Sequence, residues 1–165
     1  MLLTFKDMTK EDMYRMVRSV YSEASYEIAK DKHPDMQDLS KAIREEEQYF
    51  VEKFLEKFMG KNENTYYVWD ANGEWVSALR LTKLEGYYFM EALETAPEYR
   101  RNGYASKLIK AVIQKLEEDK HVVIRSNVRK TNAFSLATHQ KCGFVIEGEN
   151  GTENCFYGMI YQKRK

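Results

Sequence analysis

The stretch from Glu91 to Ile109, EALETAPEYRRNGYASKLI, constrains the fold more than any other part of the chain. An extended run ends at Thr95-Ala96, and Pro97 cannot donate to a ladder, so the strand stops there. Arg100-Arg101-Asn102-Gly103-Tyr104-Ala105 follows, and from this point Ala105, Leu108, Ile109, Val112 and Leu116 recur at helical spacing. The segment therefore reads as strand, tight turn and helix. A helix opened by Gly and Ala leaves its first N–H groups unpaired and sterically open. With the positive end of the helix dipole, those donors favour an anion such as a phosphate. Arg100 and Arg101 add fixed positive charge beside that mouth.

The rest of the chain alternates strands and helices around this segment. Leu2 to Phe5 reads as a short strand. Thr9-Lys10-Glu11-Asp12 has the spacing of a capping box, and the helix it starts carries Met13, Met16, Val17, Val20, Tyr21 and Ala24 on one face. His33-Pro34 breaks that pattern. A second helix is expected over 38–59, with Leu39, Ile43, Phe50, Phe54, Leu55 and Phe58 inward and the Arg44 to Glu47 run as a solvated face. Strands follow at Thr65 to Trp69, Trp75 to Leu84 and Tyr87 to Thr95, joined by an Asn-Gly turn at Asn72-Gly73 and by Glu85-Gly86. Beyond the central helix, a buried strand spans His121 to Arg125, a helix runs from Thr131 to Lys141, and a hairpin closes the chain with Phe144 to Glu147 and Cys155 to Tyr161. The order is β-α-α-β-β-β-α-β-α-β-β, an α/β fold with a mixed sheet flanked by helices.

Composition narrows the function. A chain of 165 residues with 43% hydrophobic and 13% aromatic residues forms one domain, 1–165, with a substantial core. Basic and acidic residues both number 26, so any positive patch is local and no general nucleic-acid or polybasic membrane signal exists. No apolar run is long enough to span a bilayer, and Met1 to Lys6 is too short for a signal peptide. Cys142 and Cys155 lack metal-ligand spacing and read as free thiols of a reducing cytoplasm. No metal is expected.

Arg100-x-x-Gly103-x-Ala105, after a strand ending in Pro97-Glu98-Tyr99, resembles the pyrophosphate-binding motif of the GNAT superfamily of acyl-CoA-dependent N-acyltransferases. A second piece, Asn132 through Lys141-Cys142-Gly143-Phe144, resembles the Asn-led helix of that family, which ends in Gly-Phe before the next strand. The resemblance covers the second half of the chain closely and the first half in outline. It implies a mostly antiparallel sheet of about seven strands, flanked by about four helices, and acetyl-CoA as co-substrate. Carried over, the pantetheine arm pairs with the backbone of Leu93, Glu94 and Thr95. The pyrophosphate lies at Arg100 and on the N–H groups of Arg101, Asn102, Gly103, Tyr104, Ala105 and Ser106. Asn132 then hydrogen-bonds the pantetheine or phosphate region.

The resemblance also implies catalytic candidates. Strand alternation puts Phe89, Glu91, Leu93 and Thr95 on one face and Met90, Ala92 and Glu94 on the other. Family enzymes place a carboxylate on the cleft side of this strand, where Glu91 is expected to accept the amine proton or hold a cationic substrate. The family's tyrosine, which protonates the departing thiolate, is replaced by His139, an imidazole that can also donate to sulfur. The expected activity is transfer of an acetyl group from acetyl-CoA to a primary amine of a small molecule or peptide. A non-catalytic CoA-binding regulatory module is the alternative, favoured by the missing tyrosine. A Rossmann or P-loop protein is disfavoured because neither glycine fingerprint is present. Polyamines, aminoglycoside-like amines, amino acids and protein amino groups all remain open as acceptors, as does a homodimer.

Overall fold

The computed structural model describes residues 1–118 and 122–163, so the expected strand start at His121 lies outside the described residues. Seven strands pair in the order β1-β2-β3-β4-β5-β7-β6. They are β1 (Leu2–Phe5), β2 (Asn64–Ala71), β3 (Glu74–Leu84), β4 (Tyr87–Thr95), β5 (Val123–Arg129), β6 (Val145–Asn150) and β7 (Phe156–Gln162). Every neighbouring pair is antiparallel except β4 with β5. The helices are α1 (Lys10–Ser19), α2 (Ser22–Lys32), α3 beginning at Ser40–Phe50, α4 (Tyr104–Glu117) and α5 (Ala133–Lys141).

Alternation along the strands feeds two cores on opposite faces of the sheet. Tyr67, Leu79, Leu81 and Met90 pack with Leu108, Ile109, Val112 and Leu116 of α4. Tyr66, Val68 and Ala78 pack with Met16, Val17 and Val20 of the α1 segment and with Val51, Leu55 and Phe58. Thr9 caps α1 as its spacing predicts, accepting from the Asp12 N–H at 3.1 Å.

Two local irregularities depart from the expected helices. The first helix does not continue to His33: it stops at Ser19, and α2 starts at Ser22, which leaves Val20 and Tyr21 at a break where both are buried. The helix over 40–59 runs through a π-helical turn, Val51–Leu55, before its last turn, Glu56–Met59. Its inward residues are Ala42, Glu47, Val51, Leu55, Phe58 and Met59, whereas Phe54 is 47% exposed. Glu47 leaves the expected solvated face because Arg18 Nε donates to its carboxylate at 2.9 Å.

The third irregularity lies in β4. Arg80 is opposite Glu91 and Ala78 is opposite Glu94, so two steps on β3 match three on β4. The extra residue is Ala92, with a left-handed φ of 52°. Such a conformation costs a non-glycine residue about 1 to 2 kcal/mol. This bulge corrects the parity expected from simple alternation. Glu91 and Glu94 emerge on the same face, that of Ala78 and Arg80, while Leu93 packs toward the α4 core.

Candidate active site

β4 and β5 pair only at Tyr88↔Ile124, Phe89↔Arg125 and Met90↔Ser126. Beyond Met90 the strands separate, while β5 continues on β7 to Arg129. Glu91 to Thr95 therefore have no strand partner on that side, and the gap opens toward the turn that leads into α4.

In the turn, Arg101 has φ 65° and Gly103 φ 76°, both left-handed. Left-handed residues at alternate positions curl the chain so that successive amides point inward, an arrangement suited to anions. No side chain among the described residues caps α4. Among the described residues, no backbone acceptor takes the N–H groups of Arg101 to Ser106. Orphaned donors at a helix start, left open beside a cleft, are what a phosphate needs.

The cleft holds about 740 Å³. Of the expected cofactor residues, Leu93, Glu94, Thr95, Arg100, Arg101, Gly103, Tyr104, Ala105, Ser106 and Asn132 line it. Asn102 does not; its amide donates to the carbonyls of Tyr99 and Arg100, both at 3.3 Å, and braces the turn. Asn132 caps α5, its Oδ1 accepting from the Ser135 N–H at 2.9 Å. Glu23, Tyr99, Phe134, Ser135, Ala137, Thr138 and Lys141 also line the cleft and were not singled out from the sequence. Phe134, Thr138 and Lys141 stand four and three residues apart, on one face of α5, so projecting that helix groups them. Phe134 leaves 80% of its surface in water, an apolar ring held at the cleft wall.

Arg100 lies at the cleft but is largely committed to the protein. Its Nε donates to the Thr95 carbonyl at 3.1 Å, and Nη2 binds Glu94 at 3.1 Å and also Glu23. The Glu23 hydrogen bond raises the Arg100 pKa above its usual value and lowers that of Glu23. Arg100 thus ties the end of β4 to α2, and Arg101 carries no ion pair among the described residues.

The catalytic candidates are not brought together. Glu91 does not line the cleft; it lies on the face of α1 and α3, with Oε1 2.7 Å from Arg80 Nε. That approach is a charge contact, since the Nε–H is not aimed at the oxygen and makes no hydrogen bond. His139 corrects the expectation of an acid facing sulfur. It is 2% exposed, with Nδ1 2.8 Å from the Ser135 carbonyl and Nε2 3.2 Å from Ser126 Oγ. Its ring stands edge-on to Phe144 at 5.2 Å, and burial lowers its pKa. A neutral imidazole donating from Nδ1–H to Ser135 and accepting at Nε2 from Ser126 satisfies every atom. His139 packs in the interior and does not reach the cleft.

The sequence model of the Acetyltransferase (GNAT) family matches residues 22–144, most of the chain. The chain belongs to the GNAT family. By class, this GNAT protein is an acyltransferase, and its seven-stranded, mostly antiparallel sheet is the family's fold. PaiA N-acetyltransferase of Thermoplasma acidophilum, solved with coenzyme A, superposes with a TM-score of 0.70 at 16% identity, covering 99% of both chains. A GNAT acetyltransferase of Streptococcus pneumoniae gives 0.63 at 19% identity over 98% of this chain and 99% of its own. The aminoglycoside acetyltransferase AAC(6')-Ib, solved with coenzyme A and kanamycin, gives 0.63 at 15% identity over 99% and 95%. At these identities the likeness is one of fold. No curated protein matches the chain in sequence.

Proposed function

We propose that this GNAT protein transfers an acetyl group from acetyl-CoA to a primary amine of a small molecule or peptide. The row of uncapped amides from Arg101 to Ser106, opening onto the gap between β4 and β5, carries this reading. In it, those amides hold the pyrophosphate, with Arg101 adding charge beside it. The free edge of Leu93 to Thr95 pairs with the pantetheine arm, and Asn132 and Thr138 border it from α5. Acetyl-CoA supplies the activated acyl thioester. The chain's part is to hold that group in reach of the amine and to point backbone donors at its carbonyl oxygen as charge develops there.

Glu91 serves the amine. On the α1 and α3 face of β4 its carboxylate, with Arg80 beside it, orients an ammonium arriving from that face and takes up the proton directly or through water. With His139 in the interior, no described side chain is assigned to the thiolate. A thiol titrating near cysteine's value, about 8.5, leaves without an acid.

A CoA-binding regulatory module remains as a second reading, favoured by the inward position of His139. The discriminating experiment is free-thiol release from acetyl-CoA with a panel of polyamines, aminoglycosides, amino acids and peptide N-termini. Turnover on any of them supports the transferase, whereas CoA binding without turnover on all of them supports the module. Gly103→Val forces a β-branched side chain into a left-handed turn. It is expected to weaken CoA binding at least tenfold, and unchanged affinity in the folded variant would remove the turn from the site.

A further inference from the structure

Ala92 is the strained point of β4, a non-glycine residue at φ 52° inside a strand. A bulge residue of this kind is left out of the ladder and persists only where its surroundings fix it. Here its carbonyl is taken by a residue distant in sequence that packs in the same core. Tyr21 Oη donates to the Ala92 carbonyl at 2.6 Å, bridging 71 positions of sequence. Tyr21 sits at the break between α1 and α2, buried, with its ring 5.8 Å from that of Phe50. Tyr66 Oη approaches the Tyr21 hydroxyl from β2 at 3.5 Å. Burial pushes the Tyr21 hydroxyl well above the usual phenol pKa, so it stays protonated and donating. The break that ends α1 early is what places this hydroxyl over β4.

The bulge governs what the strand presents. It puts Glu91 and Glu94 on one face and leaves Leu93 to Thr95 at the open edge beyond Met90. A relaxed β4 would shift that edge by one residue. We propose that Tyr21 is a positioning residue for acyl transfer: its hydroxyl holds Ala92 in the left-handed bulge that sets Leu93 to Thr95 against the acyl donor. This rests on the transferase reading above.

The test compares the parent, Tyr21→Phe, Ala92→Gly and the double variant by steady-state kinetics on a turned-over amine. Carbon chemical shifts of Ala92 report its backbone conformation in the parent and in Tyr21→Phe. Tyr21→Phe keeps the ring and removes only the donor. Its kcat is expected to fall about tenfold, with KM for acetyl-CoA rising by a smaller factor, because the pantetheine edge is displaced while the phosphate turn is untouched. The Ala92 shifts move from left-handed toward extended values. Glycine reaches positive φ without strain, so on the Ala92→Gly background the Tyr21→Phe loss shrinks severalfold. Parental kcat in Tyr21→Phe, a loss of kcat with unmoved Ala92 shifts, or an equal loss on both backgrounds would each overturn the proposal. A parent that binds CoA but turns over no amine overturns the transferase reading and the catalytic role with it. The Ala92 shifts still show in that case whether the phenol holds the bulge.

Discussion

Because burial lowers the His139 pKa, the native protein keeps this imidazole neutral at pH values where an unfolded chain would charge it. The unfolded pKa is about 6.5. Above it the native state loses nothing, and as pH falls through and below it the unfolded chain binds a proton that the native state resists. Stability therefore declines toward acid, at up to about 1.4 kcal/mol per pH unit until the folded pKa is reached. Denaturant melts of the parent and of His139→Phe should converge as pH falls from 7.5 to 5, since the variant lacks this titration. At pH 7.5 the variant is expected to be about 1 to 3 kcal/mol less stable, because Ser126 Oγ and the Ser135 carbonyl lose their partner. Its kcat should stay within about threefold of the parent's; a fall of two decades would bring the imidazole back into the chemistry. For Glu91→Gln the expectation is reversed. The isosteric amide removes the proton acceptor, so kcat should drop by about one to four decades while CoA affinity persists. A Gln variant with parental kcat and pH profile would show that the carboxylate does not take the proton.

At the scale of elements, β4 is the strand that decides whether the cleft exists. Beyond Met90 the amides of its edge turned away from β3 face the gap, and those of the turn from Arg101 to Ser106 are uncapped. Both groups should exchange their hydrogens readily in the free protein and become protected when CoA is added. Protection in the turn without protection at Leu93 to Thr95 would place the pantetheine arm elsewhere. The elements themselves are legible because short apolar runs between turn residues mark buried strands and a period of 3.6 marks helices, as in Tyr66-Tyr67-Val68 and Leu108-Ile109-Val112. The irregularities are not. A bulge inserts one residue into a period-two pattern, and Ala92 is small enough to read as either face, so simple alternation sets Glu91 and Glu94 on opposite sides. Tyr21 fits the inward face of a continuous helix as well as the break it occupies. The π turn rotates Phe54 outward although its spacing from Phe50 suits an α-helix. The turn at Gly103 was legible for the opposite reason: a left-handed conformation and a helix start both demand particular residue types. The inward packing of His139 is not legible, because a position in a motif fixes where a residue sits along a helix and not which way its side chain packs.

The whole molecule is a sheet between two cores, and ligand binding should tighten it as a unit. At a CoA concentration 100 times its Kd, linkage adds about 2.7 kcal/mol, which for a chain of this size is a rise in Tm of roughly 5 to 10 °C. NAD at the same concentration should give none, and an equal rise would point to a general nucleotide site. The phosphate turn has a further consequence for any compound directed at it. What such a compound would grip is peptide bond, and the genetic code offers almost no way to delete a peptide N–H. Exchanging Tyr104, Ala105 or Ser106 for other residues changes side chains and leaves the donors in place. Only proline removes one, and it removes only its own. A competitor that uses the amides alone would therefore meet few routes to resistance by single substitution, whereas one that leaned on Phe134 or Lys141 could be escaped through a single codon.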